Sequence, residues 1–248
     1  MSEYIILIDI GNSYTEYAQI SSKTVPTHFE KIRFPTSQLL ENLPNLSPTH
    51  KWIVASVVPD LDPILLNYNP NTVFVSHTLM STQMEVDVIH PHQVGADRLI
   101  CAYAAREKYG APALIIDSGT AMTFCLVSPE GRYQGGSILP GLGISSRALN
   151  DYTAKIPLIQ VAQKPTFIGR STEECVQSGL YWGFSFMING FIEKYKTLYP
   201  TLSVIGTGNG METLSSEIKL DSVDPDLIFY GLARLAHLSS LRAGPYNL

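Results

Sequence analysis

The sequence predicts an α/β fold of two duplicated lobes, each a mixed sheet flanked by helices. Three observations carry that reading. First, IILIDIGNSYTEYAQIS (residues 5–21) and ALIIDSGTAMTFCLVS (residues 113–128) follow one plan: an apolar run ending in Asp, a Gly followed by Asn-Ser or Thr, then a second run in β-type residues. Second, strand-length apolar runs alternate with helical periodicity through both halves. Third, the chain has 248 residues, 45% of them hydrophobic and 16% charged. That is enough for one large core or two small ones, and no low-complexity linker interrupts it.

Taken in order, Ile5–Asp9 reads as a buried strand, with Thr15–Ser21 and Phe29–Phe34 as antiparallel followers. Ser37–Asn42 suits a short helix opened by a Thr/Ser cap, and Trp52–Val58 a strand closed by Pro59. Thr72–Ser76 and Val86–Ile89 are further strand candidates. From His92 to Tyr109 the period becomes helical, since Leu99, Ile100, Tyr103 and Ala104 share a face, and Gly110-Ala-Pro stops it. The opening plan restarts at Ala113. Arg132–Leu139 follows as a strand and Leu142–Tyr152 as a helix, then a long helix over Thr172–Lys196. Val204-Ile-Gly-Thr-Gly-Asn-Gly is a strand breaking into a turn, and Asp226–Leu241 a final helix. The lobes expected are therefore 1–110 and 111–248.

Composition excludes several functions. The formal charge is −5 with no run of Lys or Arg, which argues against non-specific nucleic-acid binding. Cys101, Cys125 and Cys175 form no CxxC or Cys/His pattern, so neither a zinc site nor a disulfide framework is indicated; buried or semi-buried thiols in a reducing compartment are expected. The N-terminus lacks the basic start of a signal peptide, and no segment approaches the ~18 apolar residues of a membrane span. A soluble cytoplasmic protein, with no nucleic-acid or membrane partner, is the expectation.

The acid-tipped turns carry the chemistry. Gly lets the backbone turn sharply and lets a ligand come close. Asn12, Ser13 and Thr120, with backbone N–H groups, can donate to phosphate oxygens, and Asp9 or Asp117 can hold a cation that offsets phosphate charge. One such turn closes many hairpins. Two in one chain suggest a nucleotide polyphosphate held from both sides. GTGNG at 206–210 is a third Gly turn, placed where an adenosine could lie on backbone. No GxxxxGK[ST] and no strand-to-helix GxGxxG is present, so P-loop and dinucleotide readings are poor. VGADRL (94–99) opens the long helix, where free N–H groups suit an anionic substrate. There Arg98 can grip a carboxylate and Asp97 can act as general base.

Several motifs in order then resemble a known family. They are DIGNS (9–13), SVVP (56–59), GADR (95–98), DSGTAMT (117–123), GGSILPG (135–141), RALNDYTAKIP (147–157) and IGRST with QSG (168–179). This set resembles type III pantothenate kinase, of the acetate and sugar kinase/actin-like superfamily with ribonuclease H-like lobes. The resemblance implies ATP-dependent phosphorylation of pantothenate, the first step of coenzyme A synthesis, by a homodimer that uses Mg²⁺ and a monovalent cation, K⁺ or NH₄⁺. It implies Asp97 as catalytic base. Asp9, Gly11, Asn12, Ser13 and Thr120 would bind ATP, Asp117 the monovalent cation, and Gly95, Ala96, Arg98 and Thr172 pantothenate.

The chain departs from the family pattern at Cys125, at Glu16, and at Val88 with His90-Pro91 ahead of GADR; Glu16 is expected to point outward. Two other readings stay open at this point: a non-catalytic regulatory relative akin to transcription accessory factors, and a polyphosphate or nucleotide phosphatase.

Overall fold

A computed structural model describes residues 4–238, which cluster into two compact units. The first takes the chain as far as Lys108, a return at Gly131–Tyr133, and the segment from Asp226; the second takes Tyr109–Glu130 and Gln134–Pro225.

The first unit begins with β1 (Tyr4–Ile10), β2 (Tyr14–Ser21) and β3 (Lys31–Pro35), followed by the single turn of α1 (Leu39–Asn42). Then come β4 (Lys51–Ser56), α2 (Asp62–Tyr68), β5 (Thr72–Phe74), α3 (His77–Ser81) and α4 (Ala96–Tyr109). The second unit contains β6 (Ala113–Ser118), β7 (Ala121–Val127), β8 (Tyr133–Pro140), α5 (Leu142–Asp151) and α6 (Thr172–Leu198). It continues through β9 (Ser203–Thr207), α7 (Met211–Leu214) and β10 (Ser222–Val223), after which α8 (Leu227–Ala236) belongs again with the first unit.

The two sheets repeat one topology. The first runs β3-β2-β1-β4-β5, and the second, read the same way, runs β8-β7-β6-β9-β10. In each, the leading strand sits centrally, with its hairpin partner antiparallel on one side and a later strand parallel on the other. This is the tertiary form of the repeat seen in the sequence. Because strand side chains alternate, Ile6, Ile8 and Ile10 of β1 turn to one core with Trp52, Val54 and Phe74. In the second unit Leu114 and Ile116 pack with Phe124, Tyr181 and Ile188. The Phe124 and Phe191 rings stack there at 4.4 Å between centroids.

Several expectations change in three dimensions. Val86–Ile89 forms no strand; Val86 makes an isolated bridge to Tyr133. The helix expected from His92 begins at Ala96, because Pro91 opens a 3-10 turn and Val94 is extended before it. α8, grouped by the sequence with 111–248, packs on β1 and β4. Leu227, Phe229, Leu232 and Leu235 are buried, and Gly231 lies against the Ile100 carbonyl so closely that a Cβ would stand 2.8 Å from it. An apolar helix face joins the core that can cover it, whatever its place in the chain. The last residues of the expected helix, 239–241, lie outside the described residues. Cys101 and Cys125 are buried as expected, but Cys175 is exposed. Among the described residues no helix is long and apolar enough to cross a membrane.

Candidate active site

In the first unit Asp9 is the penultimate residue of β1, half-buried, paired with Glu16 across the hairpin and with Ala55 of β4. Gly11, Asn12 and Ser13 form the turn that follows, with the Asn12 and Ser13 side chains exposed. The Gly11 N–H donates to the Tyr14 carbonyl at 3.0 Å.

Thr36 holds this turn from outside. Its hydroxyl donates to the Gly11 carbonyl at 2.6 Å and lies 3.1 Å from the Thr15 hydroxyl, and its N–H donates to the Ser13 carbonyl at 3.0 Å. The sequence reading expected a Thr/Ser cap for the next helix; no side-chain cap bond forms there, because the hydroxyl is committed to the turn. Glu16 does not point outward. As the cross-strand partner of Asp9 it shares that residue's sheet face, is half-buried, and pairs with Arg33 at 3.4 Å. The Arg33 guanidinium also lies 3.9 Å from the Tyr14 ring centroid. Its charge offsets that of Glu16.

The GADR stretch stands at the same end of this sheet. The Val57 N–H donates to the Ile10 carbonyl at 3.0 Å, and a Cβ on Gly95 would lie 3.5 Å from Val57 Cγ1. Val57, from SVVP, thus links the end of β1 to the start of α4. Gly95 accepts the first helical bond, from the Leu99 N–H at 3.2 Å. Ala96 is buried, and Asp97 and Arg98 are half-buried. Asp97 Oδ1 accepts the Arg98 N–H at 2.8 Å, and a Cβ on Gly95 would collide with that oxygen. Burial pushes the Asp97 carboxyl above the usual carboxylate range, although the Arg98 N–H and guanidinium pull the other way. A carboxylate with raised affinity for a proton is suited to general-base work. The Arg98 guanidinium lies 5.8 Å from the Tyr133 ring centroid. Val88 is half-buried, and His90 is exposed with its ring beside that of His92, 5.9 Å between centroids.

In the second unit Asp117 is the penultimate residue of β6, half-buried, between Thr123 of β7 and Thr207 of β9. Thr120 is exposed on the turn, and its carbonyl accepts the Gly141 N–H at 3.0 Å, which brings the start of α5 to the same turn. The 206–210 turn closes over the end of β6: the Gly210 N–H donates to the Ser118 carbonyl at 2.7 Å. Gly208, at φ +83°, lies where a Cβ would strike Asp117 Oδ1, so only glycine lets the chain pass that carboxylate. Thr172, the exposed first residue of α6, lines a cavity between α5 and α6 whose wall includes none of these groups.

The donor set fits the implied ligands. The turns offer hydroxyl, amide and backbone donors for phosphate, and Asp9 and Asp117 each offer one hard carboxylate suited to Mg²⁺ or K⁺. Among the described residues no three His, Cys, Asp or Glu side chains group to hold a metal ion. A cation at either acid would therefore complete its shell with phosphate oxygens, backbone carbonyls or water. Thr36, Arg33 and Val57 had no roles in the sequence reading, since their contacts join residues 17 to 38 positions apart.

Comparison with known proteins shows the family and the fold. A family profile described as Type III pantothenate kinase matches residues 5–194. A type III pantothenate kinase of Exiguobacterium sibiricum is 32% identical over 249 residues, covering 92% of this chain and 96% of the relative. Among solved structures, a conserved Campylobacter jejuni protein placed in a Baf family of transcriptional activators superposes with a TM-score of 0.65 at 20% identity, over 93% of this chain and 96% of its own. The activator of 2-hydroxyisocaproyl-CoA dehydratase from Clostridium difficile, with bound ADPNP, gives 0.53 at 13% identity, over 94% of each chain. These distant structural likenesses speak for the actin-like fold alone. Profile, curated relative and repeated sheet topology agree, and the chain belongs to the type III pantothenate kinase family.

Proposed function

We propose that this chain transfers the γ-phosphoryl group of ATP to the primary hydroxyl of pantothenate, giving 4′-phosphopantothenate and ADP, the first step of coenzyme A biosynthesis. The observation that carries the reading is Asp97: a half-buried acid at the start of α4, with raised proton affinity and Arg98 beside it. A regulatory binding module needs no such base, and a phosphatase needs no acceptor clamp.

Asp97 takes the hydroxyl proton as the acceptor oxygen forms its bond to the γ-phosphorus and the bond to the ADP oxygen breaks. Gly95 and Ala96 bring backbone against the acceptor, and Arg98 supplies positive charge beside it. Asn12 and Ser13 donate to phosphate oxygens from the first turn, and Thr120 from the second. Mg²⁺ at Asp9 and K⁺ or NH₄⁺ at Asp117 supply, when bound, positive charge against the phosphates. Catalysis rests on positioning and charge neutralisation. The enzyme works in the cytoplasm as a homodimer, in keeping with the family.

The test is ADP release with and without pantothenate, in potassium and in sodium. Pantothenate-dependent, potassium-stimulated release is expected. Release without pantothenate would favour the phosphatase, and no release in any condition the regulatory relative.

A further inference from the structure

The end of β3 brings a cation to the first turn. Across the sheet the register sets three charged residues in one row: Asp9 of β1 opposite Glu16 of β2, and Glu16 opposite Arg33 of β3. Cross-strand partners share a face, so all three side chains leave the same side of the sheet. Tyr14, two residues before Glu16 on β2, lies on that side as well. It directly follows Ser13, and the Arg33 guanidinium stacks on its ring, 3.9 Å from the centroid. Further along the chain Thr36 donates its N–H to the Ser13 carbonyl at 3.0 Å. The segment that carries Arg33 is thus bonded to the turn itself.

Arg33 is held in place with donors to spare. Its Nε faces Glu16 Oε1 at 3.4 Å, and among the described residues no acceptor bonds its two terminal nitrogens. Elsewhere in this unit such nitrogens are in use: Arg106 donates to the Gln83 carbonyl at 3.0 Å and to Glu107 at 2.9 Å, and Arg234 to Glu107 at 3.2 Å. The Arg33 side chain is 39% exposed and that of Glu16 13%, so a ligand reaches the guanidinium while the carboxylate beneath stays covered. Two carboxylates on one face repel a polyphosphate. A cation at Asp9 offsets one of them. A guanidinium that keeps its Nε on Glu16 and gives its paired terminal N–H groups to phosphate oxygens offsets the other.

We propose that Arg33 is a further ATP-binding residue: stacked on Tyr14 and paired through Nε with Glu16, it donates its terminal N–H groups to phosphate oxygens held at the Gly11–Ser13 turn. The inference deepens the kinase reading and rests on it for the place of the phosphates.

The test is calorimetric titration with ATP and Mg²⁺ of wild type, Arg33→Met, Arg33→Lys, Glu16→Gln and the double variant Glu16→Gln/Arg33→Met, beside steady-state kinetics. Arg33→Met should weaken ATP binding by about tenfold to a hundredfold, the scale of a hydrogen bond to a charged group. It should raise the KM for ATP and leave that for pantothenate little changed. Arg33→Lys should recover part of the loss. Glu16→Gln should bind ATP at least as tightly as wild type. The decisive comparison is made in that background, where Arg33 has no carboxylate left to neutralise. There the double variant should bind ATP about tenfold or more weakly than Glu16→Gln alone. Equal binding by those two proteins would reduce Arg33 to a neutraliser of Glu16 and overturn the proposal, as would unchanged binding in Arg33→Met. Turnover is read separately. If wild type binds ATP but releases no ADP with pantothenate, the kinase reading fails, and the binding ratios still decide Arg33. Absence of ATP binding in wild type removes both.

Discussion

The Asp97 carboxylate accepts the backbone N–H of Arg98 at 2.8 Å, so the acid and the cation beside it are held in one half-turn at the start of α4. Asp97→Asn keeps the shape and removes the proposed general base. Turnover should fall by roughly 10²–10⁴-fold with ATP binding retained, measured by steady-state kinetics beside nucleotide titration.

The same residue sets a pH dependence. Burial raises the Asp97 pKa above the ordinary carboxylate range, so its contribution to stability is complete below the unfolded-state pKa and is lost as pH rises through the folded-state pKa. Asp97→Asn should therefore melt higher than wild type near neutrality, and the gap should close in acid. The acidic limb of the wild-type rate profile should lie above the ordinary carboxylate range.

Gly95→Ala tests position without altering charge. A Cβ there collides with Asp97 Oδ1, so the carboxylate must move. A misplacement on the order of 1 Å can cost about 10²-fold in rate. The expected result is a loss of that size with an unchanged circular dichroism spectrum.

Thr36→Val removes the hydroxyl that donates to the Gly11 carbonyl at 2.6 Å. The first turn should loosen, with a stability loss of about 1 kcal/mol in urea unfolding and a higher KM for ATP. An unchanged KM for ATP would mean that the turn is shaped without Thr36.

Asp226 joins α8 to the chain before β3. It pairs with Lys31 at 2.8 Å and accepts the Phe29 N–H at 3.3 Å, with His28 Nδ1 at 2.9 Å. Burial alone would raise its pKa, but the hydrogen bond and charge of Lys31 outweigh that and hold it low. Its stabilisation is present above the ordinary unfolded-state carboxylate pKa and is lost as pH falls through the lower folded-state value. Asp226→Asn should lose about 1.5–3 kcal/mol near neutrality, and its deficit should shrink in acid melts.

Much of the fold and half of the site's logic could be read from the residues alone. The paired acid-tipped turns, the strand-period runs and the helix from GADR onward are local signals, because apolar spacing and Gly placement govern backbone shape within a few residues. Asp9 and Asp117 at matching places in matching sheets follow from them. Tertiary structure decided what couples positions far apart in the chain: Thr36 on the Gly11 turn, Arg33 beside Glu16, Val57 between β1 and Gly95, and α8 returned to the first sheet. It also left Val86–Ile89 without a ladder despite its strand-like composition. Such choices depend on which apolar face finds a partner and which polar group finds a donor, and a linear order of residues does not contain that information locally.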